Sequence, residues 1–325
     1  MNKYFVREKN PIKWLFPAEI AMVLYAVFTL VIVLFTATNL HGSDVMVWDR
    51  VRVVITTFAV WLVYRIYPCR LLAFVRIAVL LLFLGWWYPD TYELNKQFTN
   101  LDPMFASWDQ AIFGFQPALV WCEKMSSPIV SEMFDFGYSM YYPLFVIYIL
   151  YVLLTRYDDL QKVSFVILAA FYVYYVIYDL LPVTGPQYYY LAAGVENIAV
   201  GVFPDVGNYF ATHTECLPTP GWENGLFHSL VETAHAAGER PTAAFPSSHV
   251  GIATITMALV VKMREWKCLL IMAVPYVLLC LSTVYIQAHY AVDAMAGFVS
   301  AVIIFFTLDF VYDKFWGKSL CKSRK

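Results

Sequence analysis

Charge is what this sequence has least of. Only 14% of its 325 residues are Asp, Glu, Lys or Arg, against roughly a quarter in soluble globular chains. The few charges nearly cancel, at a net −2, so there is no basic excess with which to hold a nucleic acid. Cysteine is scarce too. The chain has six, none in a C-x-x-C arrangement, so zinc-type spacing is missing and the residues imply no metal and no cofactor. Internal repeats and low-complexity linkers are also lacking.

Apolar residues take their place, at 61% of the chain. They gather into runs of the length that crosses a ~30 Å hydrocarbon core as a helix. Eight runs stand out: Leu15–Thr36, Val51–Tyr67, Leu71–Trp87, Phe136–Leu154, Val163–Leu181, Ser248–Val261, Cys268–Val284 and Val292–Phe310. The expected fold is therefore all-α, a polytopic membrane helical bundle of about eight spans forming a single membrane domain over residues 1–325. The basic residues orient it. With the N-terminus inside, the inner segments hold 16 of the 22 Lys and Arg, including Lys3, Arg7, Lys9, Lys13, Arg156, Lys162, Lys318, Lys322, Arg324 and Lys325. An excess of this kind marks cytoplasmic loops, so both termini are expected in the cytoplasm. Arg76, inside the third run, is expected to snorkel inward.

This orientation leaves two long segments, 88–135 and 182–247, outside. Loops of such length carry structure or function. The first scatters Phe98, Phe105, Trp108, Phe113, Phe115 and Trp121 among polar residues, a pattern suited to interfacial helices. The second opens on Pro182, Gly185 and Pro186, followed by Tyr188, Tyr189 and Tyr190. Cys122 and Cys216 fall one in each segment, compatible with a disulfide or with two separate thiols.

All six histidines, His41, His213, His228, His235, His249 and His289, lie on the outer side of this topology. Two have telling neighbours. His289 and Asp293 are four apart and so share a helix face. The carboxylate can there accept a hydrogen bond from one ring nitrogen and leave the other free to attack. The second context is Phe245-Pro246-Ser247-Ser248-His249. Proline and serines of this kind start a helix, whose exposed N–H groups and dipole favour a phosphate. His249 would stand beside that phosphate as a general acid. The alternative for each context is a helix cap with a headgroup-facing histidine.

Pro246-Ser247-Ser248-His249, followed by His289-x-x-x-Asp293, resembles the second and third signatures of the type 2 phosphatidic acid phosphatase superfamily. The resemblance implies a metal-independent helical bundle working through a phosphohistidine-type intermediate. It assigns the nucleophile to His289, its partner to Asp293, the acid to His249 and the phosphate cradle to Ser247 and Ser248. The core motifs span 240–297. Arg240-Pro241 matches the end of the first signature, but Thr233 stands where the family has lysine, and Ser282-Thr283 stands where Ser-Arg is common. So few cations suit a singly charged phosphodiester better than a phosphomonoester.

The stretches Asp179-Leu180-Leu181-Pro182-Val183-Thr184-Gly185-Pro186 and Asp102–Pro117 look like the inositol phosphorylceramide synthase branch. That branch implies a phospholipid donor and a lipid alcohol acceptor within the bilayer, with no nucleic acid. Asp179 would bind an inositol hydroxyl or serve only as an interfacial acid among tyrosines. The expected activity is headgroup phosphotransfer from a glycerophospholipid to a ceramide-like alcohol. The competing enzyme reading is a lipid phosphatase using water, and the non-enzymatic one is a transporter or channel. The active site is expected on the periplasmic or lumenal side of a plasma or Golgi-type membrane.

Overall fold

Proline marks helix starts along much of this chain. Pro17, Pro103, Pro117, Pro128 and Pro186 each occupy a first-turn position, where the missing N–H costs nothing and the fixed φ suits the helix. The computed structural model describes residues 3–37 and 42–317. His41, Lys318, Lys322, Arg324 and Lys325 of the sequence reading lie outside the described residues.

The helices, in order, are α1 (Pro17–Thr36), α2 (Ser43–Ile66), α3 (Arg70–Asn95), α4 (Asp102–Phe113), α5 (Pro117–Lys124), α6 (Pro128–Ser139) and α7 (Tyr141–Thr155). They continue with α8 (Leu160–Leu180), α9 (Pro186–Ala193), α10 (Val195–Ala199), α11 (Leu226–Gly238), α12 (Ser248–Lys262), α13 (Trp266–Tyr285) and α14 (Ala291–Tyr312). No β-strand occurs among the described residues, and the expected all-α membrane fold is what is found.

Seven of the eight apolar runs fall mainly on one helix each, and the fourth, Phe136–Leu154, crosses from α6 into α7. Among the described residues, five helical segments are long and apolar enough to cross a membrane: α1, α3, Tyr157–Leu180, α13 and Ala291–Gly317. A sixth is added if α6 and α7, bent by 48°, form one span. Pro143 explains the bend, because it cannot donate to the carbonyl one turn back. The 15 residues of α12 reach only about 22 Å at 1.5 Å each. α2 carries Asp49, Arg50, Arg52 and Arg65 and is not among the five. The two long segments carry helices, α4, α5 and the start of α6 in 88–135 and α9 to α11 in 182–247. α3 runs through the expected start of the first segment as far as Asn95.

The chain forms two compact units. One comprises Met1–Asp90, Ile147–Val176 and Ile304–Lys325. Its buried charges are paired. Contrary to the expectation that it snorkels inward, Arg76 is fully buried against Glu19 and lies 3.5 Å from the centroid of the Phe16 ring. Arg50 meets Asp90 at 2.5 Å. A charge in an apolar interior persists only when so compensated.

The other unit, Thr91–Val146 and Ile177–Ile303, contains every motif residue. In it α6 packs on α11 and α13, and α13 on α12. Gly137 lets α6 approach closely, since a Cβ there would lie 2.7 Å from the Leu278 backbone. A core including Phe105, Val183, Tyr189, Tyr190, Ala244 and Tyr290 underlies the motifs.

Candidate active site

His249 enters the site from the first turn of α12. Ser247 is the N-cap, its hydroxyl accepting weakly from the Val250 N–H at 3.4 Å. The Tyr178 hydroxyl accepts the Ser248 N–H at 2.9 Å and donates to the Pro246 carbonyl at 2.7 Å. The expected row of phosphate-binding N–H groups is thus largely spoken for. The His249 N–H is the one there that finds no partner among the described residues.

His289 lies in the turn between α13 and α14. Its N–H donates to the Thr283 carbonyl at 3.0 Å. The turn meets Gly185, whose φ of 94° and missing Cβ matter, because a Cβ there would stand 2.6 Å from the Ala288 carbonyl oxygen. Below the turn, α4 presents Asp102, Phe105, Ala106 and Asp109 on one buried face. Asp109 accepts the Ala291 and Val292 N–H groups, each at 2.9 Å, capping α14 from another helix. A side-chain cap of this sort contributes roughly 0.5–2 kcal/mol. Asp102 accepts from the Tyr290 hydroxyl at 2.9 Å, the Gly185 N–H at 2.8 Å and the Thr184 N–H at 2.7 Å. Burial pushes the Asp109 carboxyl up to about 6 and raises that of Asp102, against the pull of these donors.

The two motif histidines meet directly, with His249 Nδ1 3.2 Å from His289 Nε2. His289 Nδ1 lies 2.7 Å from the Ala244 carbonyl oxygen. A carbonyl only accepts, so Nδ1 carries the proton and Nε2 presents its lone pair toward His249. Burial lowers the His289 pKa to about 4, opposed by the Ala244 carbonyl and the Glu239 carboxylate. At neutral pH the ring is therefore uncharged.

Asp293 does not hold this tautomer as the sequence reading expected. Its Oδ2 is 3.7 Å from His289 Nδ1, and it accepts the Tyr290 N–H at 2.9 Å. It is a nearby carboxylate, while a backbone carbonyl orients the ring. The two motif helices are stitched together by the Ser247 N–H donating to the Asp293 carbonyl at 3.0 Å. Gly297 allows that approach, since a Cβ there would sit 2.5 Å from the Ser247 carbonyl oxygen.

A family model described as the PAP2 superfamily matches residues 104–307, well over half of the chain. The chain belongs to the PAP2 superfamily. No curated protein and no solved structure matches it. PAP2 superfamily members are generally phosphatases or phosphotransferases, and the matched span holds both histidine motifs with the α4 aspartate Asp109.

The two expected binding residues of this PAP2 chain, Arg240 and Asp179, differ in their surroundings. Arg240 is exposed and donates to the Glu239 carbonyl at 2.9 Å. Asp179 is buried in α8, beside Tyr178, whose hydroxyl bonds to the motif backbone at Pro246 and Ser248. Cys122 and Cys216 are separate thiols, Cys122 donating to the Leu119 carbonyl at 3.0 Å. The sequence singles out Asp102 and Asp109 only as part of a resembling stretch and Tyr178 only as a neighbour of Asp179, and it assigns no role to any of them or to the Ala244 carbonyl. The acidic pair had a signal: its seven-residue spacing on one helix face.

Proposed function

We propose that the chain is a membrane lipid phosphotransferase that moves a phospho-headgroup, phosphoinositol, from a glycerophospholipid to the primary hydroxyl of a ceramide-like alcohol. The carrying observation is the His289 ring, proton-bearing toward Ala244 and lone-pair-bearing toward His249. The contact between the rings must open to admit a phosphate between them. His289 Nε2 then attacks phosphorus, and the bond to the glycerol oxygen breaks as a protonated His249 supplies that oxygen's proton. Diacylglycerol leaves, and the headgroup phosphodiester stays on His289. Its imidazolium charge is met by the Ala244 carbonyl and by Asp293. In the second half His249 takes the proton of the acceptor hydroxyl, whose oxygen attacks phosphorus and releases His289.

The poverty of cations favours a diester donor. Thr233 replaces a lysine, and Arg240 is turned to the Glu239 carbonyl, so a single negative charge is easier to accommodate than two. Ser247 and Ser248 line the phosphate end of the site in this reading, and Asp179 and Arg240 contribute to headgroup binding. The chemistry faces the outside or the lumen, with both termini cytoplasmic.

Product analysis tests the acceptor. With phosphatidylinositol and a ceramide, the enzyme should release diacylglycerol in step with a new phosphosphingolipid. Release of water-soluble phosphate or inositol phosphate, unaffected by ceramide, would make it a phosphatase instead.

A further inference from the structure

The bend between α6 and α7 has a consequence at His249. It presents two tyrosine rings to the imidazole: Tyr138, stacked at a centroid distance of 4.8 Å and 24°, and Tyr141, at 4.1 Å and 39°. Behind Tyr138 stands His235 of α11, edge-on at 6.0 Å and 84°. His235 has a partner near each nitrogen. Its Nδ1 lies 3.2 Å from the Thr219 hydroxyl and its Nε2 2.9 Å from Glu239 Oε2. The ring with which α12 would protonate a leaving group is thus held by an aromatic wall rather than by a hydrogen-bonded carboxylate.

We infer that Tyr138 and Tyr141 are positioning residues for His249, and that the His235–Glu239 pair backs Tyr138 to keep that wall in place. The inference rests on the reading of His249 as the leaving-group acid. Its physical basis is orientation. A flat ring that must open from His289 and yet reach a leaving oxygen is restricted by one stacked and one tilted ring against it, which limit the orientations it can take. Burial alone would discharge His235, but Glu239, with Glu232 and Asp135, raises its pKa on balance. The charged form of the pair is thereby favoured, and its 2.9 Å contact keeps His235 beside Tyr138.

The test compares two phosphodiester donors. Phosphatidylinositol has an alkoxide leaving group that needs a proton, and a nitrophenyl phosphodiester has one that does not. Tyr138→Leu should lower kcat on phosphatidylinositol at least about tenfold with KM changed less than about threefold, and should spare the nitrophenyl donor. Tyr138→Phe, which keeps the ring, should recover most of the loss, and His235→Leu should show the same donor-dependent pattern at smaller size. Equal losses on both donors, for a Tyr138→Leu protein that elutes and melts like wild type, would overturn the inference. If Tyr138→Leu fails to fold, His235→Leu and Tyr141→Leu decide on the same criterion. His249→Ala separates the two levels of the argument. If it loses both donors equally, the acid assignment fails; if it spares the nitrophenyl donor while the tyrosine variants do not, only the clamp fails.

Discussion

The Nδ1–H of His289 ends on the carbonyl of Ala244, 2.7 Å away, and not on Asp293. A backbone carbonyl cannot take the proton or be deleted by a side-chain change, so the tautomer survives substitution at 293. In the proposed mechanism, what Asp293 contributes is negative charge beside a ring that becomes cationic when phosphorylated. Asp293→Asn should therefore lower kcat by roughly 10- to 100-fold, the range expected for an electrostatic contribution of about 1.4–2.7 kcal/mol, and leave KM near wild type. Wild-type turnover in Asp293→Asn would make the carboxylate structural.

The pH profile follows from burial of His289. Its pKa falls from 6.5 to about 4, so the attacking form is already complete well below neutrality, and on the acid side activity should be lost as pH falls through about 4. The same depression contributes stability that is full above the unfolded value near 6.5 and lost as pH falls through about 4. Glu239 raises this pKa. Glu239→Gln should therefore move the acid limb of kcat/KM further down, and an upward shift would contradict the assignment of that limb to His289.

Much of this site was legible in sequence because it is local. The helix start at Pro246-Ser247-Ser248, the placing of His249 after it, and the four-residue step from His289 to Asp293 all follow from short-range rules. What supports the site was not legible, because it depends on pairings across long stretches of chain. Asp102 meets the Tyr290 hydroxyl 188 positions away, and Asp109 caps Ala291 from 182 away. Ala244 acts through a carbonyl that any residue would carry. Similarly, length and hydropathy found Arg76 inside an apolar run, but not Glu19, the partner that makes its burial tolerable.

Gly297 tests the stitching of the two motif helices. A methyl group there would fall 2.5 Å from the Ser247 carbonyl oxygen and 3.2 Å from the Ser247 Cβ. Because one contact is backbone, it cannot be relieved by rotating a side chain. Gly297→Ala should lower the melting temperature and reduce kcat more than tenfold by moving His249 from His289. Gly85, which has open space around it, is the control: Gly85→Ala should change neither.

Topology has its own test. Glu196, Glu223 and Asp158 are all exposed. Cysteines placed at Glu196 and Glu223 should react with an impermeant thiol reagent added to intact cells, and one at Asp158 should not. Labelling at position 158 from outside would reverse the orientation and the side on which the chemistry occurs.

The covalent intermediate is the most direct test of the whole account. Rapid quench of the enzyme with phosphatidylinositol in alkali, where a phosphoramidate survives, followed by peptide mass spectrometry, should find the headgroup phosphate on the peptide carrying His289. The adduct should be absent from His289→Ala, which should also have no turnover. An adduct on His249, or full turnover by His289→Ala, would contradict the mechanism.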